Sequence, residues 1–313
     1  MHSYDFDLDM ARTQSQSTEG ISGPGKLCIR FGGGGPVFIG GFIMRDPGFY
    51  NMEEEEYHSD DAVSKSDITL FQRSPAHYKA KEARKTTPAM AFGSAFHTAI
   101  LQPEVYAKEY VVMPEGVTKV HKAGKAFCAE AEANDQIVLS WNDSTIISDM
   151  RKSIRAHETA SKLLSFDGYS EISGFWVDEK TGLDCKLRAD RIDSVNQIII
   201  DLKTTVDARL EPFTRQIANL KYHWQGAHYL KGVSQITGIP HKDFVLIAIE
   251  KEPPYAIAVY RLDDAMLYLG GEELTLLLDE FRECKEADKW PAYPIEMHNI
   301  SMPEWYMKRA NLG

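Results

Sequence analysis

The 313-residue sequence holds only four cysteines, far apart at positions 28, 128, 185 and 284. No Cys-x-x-Cys pair occurs, so the thiols read as free and structural: neither a disulfide framework nor a cysteine-held iron–sulfur cluster has the spacing it needs. Long apolar runs are missing too. No stretch approaches the ~20 residues of a membrane-spanning helix, and the first residues lack the basic and apolar regions of a secretory signal. A soluble, cytoplasmic protein without membrane partners is expected. Positive charge is also short, with 35 Lys and Arg against 46 Asp and Glu, a net charge of −11. That sum is unfavourable for contact with phosphate backbones, which Lys and Arg usually make. Its distribution weakens the objection, because residues 1–62 hold eleven acids against Arg12, Lys26, Arg30 and Arg45. That segment carries −7, and the rest of the chain only −4.

Residues 1–48 mix Ser, Thr and Gln with Gly32 to Gly35 and show no periodicity, which predicts a flexible extension. The glycine run lacks the Gly-Lys-Ser/Thr ending of a phosphate loop. Residues 49–313 read as one domain. After the acidic run Glu53 to Glu56, Ser66 is expected to cap a helix carrying Ile68, Leu70 and Phe71. A second helix from Ser74-Pro75 carries Tyr78, Lys79, Lys81, Arg84 and Lys85. Pro88 opens a helix through Leu101 whose small residues (Ala89, Ala91, Gly93, Ser94, Ala95, Ala99) allow close packing on a sheet and carry His97. Residues 104–125 look irregular, with a basic cluster at Lys119, His121, Lys122 and Lys125, and helices broken near Ser140 to Asp143 fill 126–165. Pro212 to Thr237 reads as one long helix with a buried stripe of Phe213, Ile217, Leu220, Trp224 and Ala227. Gln225 and Tyr229, four apart, share a flank of it. Phe244–Glu250 and Tyr255–Leu262 form a strand pair, followed by a helix from Asp263 to about Ala287 and a tail that packs over the domain or a neighbour.

The chemistry concentrates between Glu171 and Lys203. Residues 183–193 and 198–205 both read as strands around a polar break. A turn symmetric about Val195 and Asn196 sets Asp190 across from Asp201, with Cβ atoms about 5 Å apart. Strand alternation puts Lys203 on the face of Asp201. Two carboxylates that close are costly unless neutralised, and oxygen ligands suit a hard divalent cation such as Mg²⁺. Ile198 to Ile200 is too apolar for an exposed strand, so Asp201 lies at the mouth of a buried sheet. Two acids, a lysine and a cation make the apparatus of metal-assisted phosphodiester hydrolysis. Pairing residue 177 with 183 places Glu171 opposite Ala189, next to Asp190, as a further candidate ligand.

Asp190-Arg191-Ile192-Asp193 followed by Asp201-Leu202-Lys203-Thr204 resembles the core motif of the PD-(D/E)XK nuclease superfamily, in its RecB-like branch. Ser64-Lys65-Ser66-Asp67, Ser74-Pro75-Ala76-His77-Tyr78, Phe92-Gly93-Ser94-Ala95-Phe96-His97, and Gln225 with Tyr229 resemble the RecE-like exonucleases, the exodeoxyribonuclease VIII group of phages and prophages. The resemblance runs from about Val63 to the C-terminus and does not reach residues 1–48. It implies an α/β, restriction-endonuclease-like core with a central mixed sheet flanked by helices. It also implies Mg²⁺-dependent digestion of the 5′-ended strand of duplex DNA, with Mn²⁺ as a substitute, leaving 3′ single strands for an annealing recombinase. Asp190, Asp201 and the carbonyl of Leu202 would bind metal, supported by His97. Lys203 would position or activate water, and Gln225 and Tyr229 would hold the lysine and substrate. A ring-like homo-oligomer around DNA ends is implied as well. The rival expectations are a RecB-like endonuclease and a catalytically silent DNA-binding or recombinase-docking module.

Overall fold

β-Branched and aromatic residues build the sheet at the centre of this computed structural model, which describes residues 45–82 and 86–309 together with three two-residue strands, Cys28–Ile29, Phe38–Ile39 and Phe42–Ile43. The extension expected over residues 1–48 therefore lies largely outside the described residues. The central sheet runs β1 (Cys28–Ile29), β2 (Gly48–Tyr50), β3 (Tyr169–Val177), β4 (Asp184–Asp193), β5 (Ile198–Thr205), β6 (Asp243–Glu250) and β7 (Ile257–Arg261), side by side in chain order. Neighbours are antiparallel except β5 and β6, which are parallel. A parallel pair needs a crossover, and helices supply it.

The principal helices are α1 (Lys65–Arg73), α2 (Pro88–Leu101), α3 (Trp141–Ala156), α4 (Leu210–Leu220), α5 (Tyr222–Thr237) and α6 (Asp264–Ala287). One sheet face is covered by α1, α4, α5 and α6 through Phe71, Phe213, Trp224, Val233 and Phe281. The other is covered by α2 and α3 through Phe96, Ala99, Ile147 and Met150. Strand β5 divides its residues by alternation: Ile198, Ile200 and Leu202 enter the second core, Ile199 the first. Asp201 and Lys203 thus share the face of Ile199, under α5. The mixed sheet with helices on both faces is the restriction-endonuclease-like architecture expected.

Several elements differ from the sequence reading. The cap of α1 is Ser64 rather than Ser66, because Asp67 three positions on reaches back to the Ser64 N–H at 2.9 Å and completes a capping box. The helix begun at Pro75 ends at Lys79. Residues 104–125 are more regular than expected, with a helix over Pro103–Glu109, a strand over Tyr110–Val112 paired in parallel with Ile137–Leu139, and a helix from Lys122. The long helix is two, α4 and α5, since Lys221 adopts a left-handed conformation (φ 57°, ψ 44°) that ends one and starts the next. That turn leaves Leu220 half exposed rather than in the buried stripe.

Two turns set the register at the centre. The Asp193 carboxylate accepts the N–H groups of Val195 and Asn196 at 3.0 and 2.9 Å, closing the β4–β5 hairpin. Its ladder pairs Asp193 with Ile198, Ile192 with Ile199 and Arg191 with Ile200. It stops there, so Asp190 and Asp201 do not form the next rung. Between β3 and β4, Asp178 holds Thr181, Gly182 is left-handed (φ 69°), and the loop is one residue longer than expected. Val177 therefore pairs with Asp184 and Ala189 with Ile172; the ladder skips Glu171 and Asp190, which the same register sets opposite each other, where Ala189 was expected.

Candidate active site

Beyond the rung of Arg191 and Ile200 the sheet forks. The edge of β4 that β5 leaves is taken by Val63, whose N–H donates to the Asp184 carbonyl at 2.8 Å and whose carbonyl accepts from Lys186 N–H at 2.9 Å. Chain leading into α1 is thereby wedged between strands that are neighbours in sequence. At the fork the Leu202 N–H donates to the Asp190 carboxylate at 2.7 Å. A buried amide without a ladder partner needs an acceptor, and the acid supplies it.

Alternation fails at the same place. Ala189 and Ile192 both enter the first core, although strict alternation would send residues three apart to opposite faces. Across from them Glu171 has φ 51°, a left-handed conformation costly for a residue with a Cβ. No residue is inserted, since the β3–β4 register is the same on both sides of the gap; the left-handed Glu171 interrupts the ladder there. Asp190 and Glu171 meet His97, delivered from the opposite face by α2. His97 Nδ1 lies 3.3 Å from Asp190 and 3.7 Å from Glu171. Ligand atoms of His97, Glu171 and Asp190 all lie within 4.8 Å of one another. Arg188 braces the other Glu171 oxygen at 3.3 Å and donates to the Met52 carbonyl and the Ser173 hydroxyl.

Asp201 stands outside that trio. Only 1 % of its surface is exposed; Oδ1 accepts from Gln225 Nε2 at 2.6 Å, and Oδ2 contacts the Lys203 ammonium without an aligned hydrogen bond. Gln225 thus holds Asp201, not the lysine. Tyr229 lies one turn on, beside Gln225 and packed edge-on against Phe244. Leu202 is fixed at the fork by its N–H. Tyr222 and Arg188, which the motif reading did not single out, and Lys65, quoted there only within a motif, complete the surroundings. The Tyr222 ring centroid is 4.7 Å from Lys203 Nζ, Lys65 Nζ donates to the Leu220 carbonyl at 2.7 Å, and Arg188 braces Glu171. Arg188 was within reach of the alternation argument, two residues before Asp190. Tyr222 depends on the break at Lys221, which no glycine signals.

Electrostatics follow the burial. Desolvation raises the Asp201 pKa, and the nearby Asp190 charge raises it further. Desolvation also acts on Asp190, but His97, Lys203 and the Leu202 N–H outweigh it and hold its pKa below the usual value. Against the opposing cost of burial, Asp190 and Glu171 push His97 up to about 10. In the protein alone, an imidazolium compensates two carboxylates. The trio fits a divalent cation, with hard oxygens from Glu171 and Asp190 and one imidazole from His97, and the buried Asp201 Oδ2 near Asp190 is met by the Lys203 ammonium.

A forked mixed sheet with two acids and a lysine at the fork defines a protein of the PD-(D/E)XK class. The chain belongs to the family described as "PDDEXK-like domain of unknown function" (DUF3799), which matches residues 64–299. Among solved structures, that of a "Putative exonuclease" from Eubacterium rectale is similar in fold, with a TM-score of 0.53 and 14 % identity over 82 % of this chain and 95 % of that one. The crystal structure of SSO0001, at 16 % identity over 59 % of this chain and 86 % of that one, has a TM-score of 0.25. The comparison with curated proteins finds no match.

Proposed function

We propose that this protein is a divalent-metal-dependent nuclease, and specifically a Mg²⁺-dependent exodeoxyribonuclease that degrades the 5′-ended strand of linear duplex DNA. The observation that carries the reading is the fork, where Asp190 stands with His97 and Glu171 and, on the adjoining strand, Asp201 stands with Lys203, in a chain of the PDDEXK-like family. Asp190, Asp201, Glu171 and His97, with the Leu202 carbonyl, would hold the metal. When bound, the metal supplies charge that compensates a phosphoryl oxygen and acidifies water. Lys203 orients the attacking water and opposes the charge that grows on phosphorus-bound oxygen. Gln225 keeps Asp201 in place, and Tyr229 supports Gln225. Water adds to phosphorus as the bond to the 3′ oxygen breaks, the water gives up a proton and the leaving oxygen gains one. The product strand with a 3′ overhang suits a single-strand annealing recombinase as partner, and a ring of subunits around DNA suits processive work in the cytoplasm. The resemblance to RecE-like exonucleases motivates polarity, partner and ring alike.

The test is linear duplex DNA labelled at either the 5′ or the 3′ end, with Mg²⁺, Mn²⁺ or EDTA, beside Lys203→Ala and Asp201→Ala. Early metal-dependent release of the 5′ label is expected, with no nicking of closed circles and at least about a 10²-fold loss in either variant. Early 3′ release would reverse the polarity, and nicked circles would make the protein an endonuclease. No hydrolysis with any metal, with DNA binding unchanged in Lys203→Ala, would leave a silent binding module.

A further inference from the structure

The lysine at the fork is held on more than one side. A lysine side chain has large rotamer entropy, so a fixed ammonium needs several restraints. Asp201 supplies one contact, and an ion pair alone lets the ammonium swing about the carboxylate. The Tyr222 ring closes another side, with the Lys203 ammonium 4.7 Å from its centroid.

The ring is itself braced. The Tyr222 hydroxyl accepts from Gln216 Nε2 at 3.3 Å, and Gln216 Oε1 accepts from the Thr205 hydroxyl at 2.8 Å. Thr205 is 3 % exposed and stands two residues beyond Lys203 on the same strand, so β5, α4 and α5 form a closed circuit returning to the lysine it restrains. The direction of the ring is set by the turn before it. Lys221 is left-handed, its N–H bonds back to Ala218 and Ile217 carbonyls, and the Leu220 carbonyl is gripped by Lys65. That conformation is strained for a non-glycine residue, and the surrounding contacts sustain it. Tyr222 also lies 6.4 Å from Phe213, so packing alone is the competing account.

We propose that Tyr222 is the positioning residue of Lys203: its ring face, braced through Gln216 to Thr205, fixes the ammonium beside Asp201. The kinetic half of the proposal rests on the nuclease reading; the structural half does not. Tyr222→Leu removes the ring, while Tyr222→Phe keeps it and removes only the brace. On linear duplex DNA with Mg²⁺, Tyr222→Leu lowers kcat at least tenfold with KM within twofold of the parent, and Tyr222→Phe stays within about threefold of the parent in kcat. Equal losses in both variants, a change in KM alone, or no loss in Tyr222→Leu overturns the proposal.

A second readout needs no activity. In protein with isotope-labelled lysine, the Lys203 ε-methylene resonance, assigned by its loss in Lys203→Arg, is shifted upfield by the ring in the parent and in Tyr222→Phe. It moves to the ordinary lysine position in Tyr222→Leu, with thermal melting checking that this variant is folded. An unshifted resonance in the parent overturns the proposal even if DNA is cut. A parent that cuts no DNA but shows the shift sinks the nuclease reading and leaves the positioning of Lys203 standing.

Discussion

Two adjacent glycines in α6 give a paired test of how tightly the site helix is held. At Gly270 an added Cβ would lie 2.6 Å from the His223 carbonyl oxygen and 2.9 Å from its carbon, while at Gly271 nothing lies within 4 Å. The contacted atoms belong to backbone in the first turn of α5, the turn that carries Tyr222 and Gln225, and backbone cannot rotate aside as a side-chain end can. Replacing glycine by alanine inside a helix is worth about 0.8–1 kcal/mol from propensity alone. Overpacking of a close contact costs typically about 1–3 kcal/mol, occasionally more. For Gly270→Ala the upper part of that range applies, leaving a net destabilisation of about 1–2 kcal/mol; Gly271→Ala keeps the gain of about 1 kcal/mol. Urea midpoints at constant m-value measure both, and the variants should separate by about 2–3 kcal/mol in opposite directions around the parent. Gly270→Ala should also lower the cleavage rate, because α5 must shift away from α6, and Gly271→Ala should not. Equal stabilisation by both substitutions would refute the claim that α5 and α6 meet backbone to backbone at Gly270.

His228 is buried against Trp176, its Nε2 bonded to the Lys186 carbonyl at 3.1 Å, and burial pushes its pKa down to about 4. A histidine held neutral contributes stability that is whole above an unfolded pKa of about 6.5 and is lost as pH falls towards 4, at most about 3 kcal/mol; His228→Phe should flatten stability against pH in that window, measured by urea midpoints. Glu171→Gly relieves a left-handed residue by about 1 kcal/mol but gives up a half-buried pair with Arg188, so the two effects oppose each other and the melting temperature should move little. The same variant should bind Mn²⁺ at least tenfold more weakly by calorimetry, and unchanged affinity would remove Glu171 from the metal site. Lys186, 3 % exposed, donates to the Tyr57 and Asp60 carbonyls at 2.7 and 2.6 Å. Lys186→Met strands both carbonyls and should cost about 2–3 kcal/mol, with protease cutting first between residues 45 and 62.

The parts of this site written locally were the parts the sequence could be read for. The apolar run of β5, the polar break of the hairpin and the alternation of Asp201 with Lys203 depend on residues within a few positions, and the ladder of Arg191 with Ile200 follows the symmetric turn. What escaped depends on distant chain or on conformations without a residue signature. Val63 enters beside β4 from far upstream, and nothing near Asp190 announces that β5 will leave. Left-handed conformations are usually marked by glycine, whereas here Lys221, between two helices, and Glu171, within a strand, adopt them. One extra residue in the Asp178 turn moved Glu171 by one rung. His97 was legible through family resemblance alone, since a histidine on an alanine-rich helix most often serves a core.

The single parallel pairing in the sheet decides when this chain can become a working site. Asp190, Asp201 and Lys203 all lie on a hairpin that can close early, as local contacts do. Asp201 becomes an enclosed group only when β6 lies along β5, Asp243 against Ile198 and Leu246 against Asp201, after the whole crossover of α4 and α5 has been threaded over the face. A chain still emerging from the ribosome would thus carry its acids with one strand edge bare and Gln225 not yet docked. The order of synthesis itself thus leaves the enclosure of Asp201 to the last strand pairing that covers it.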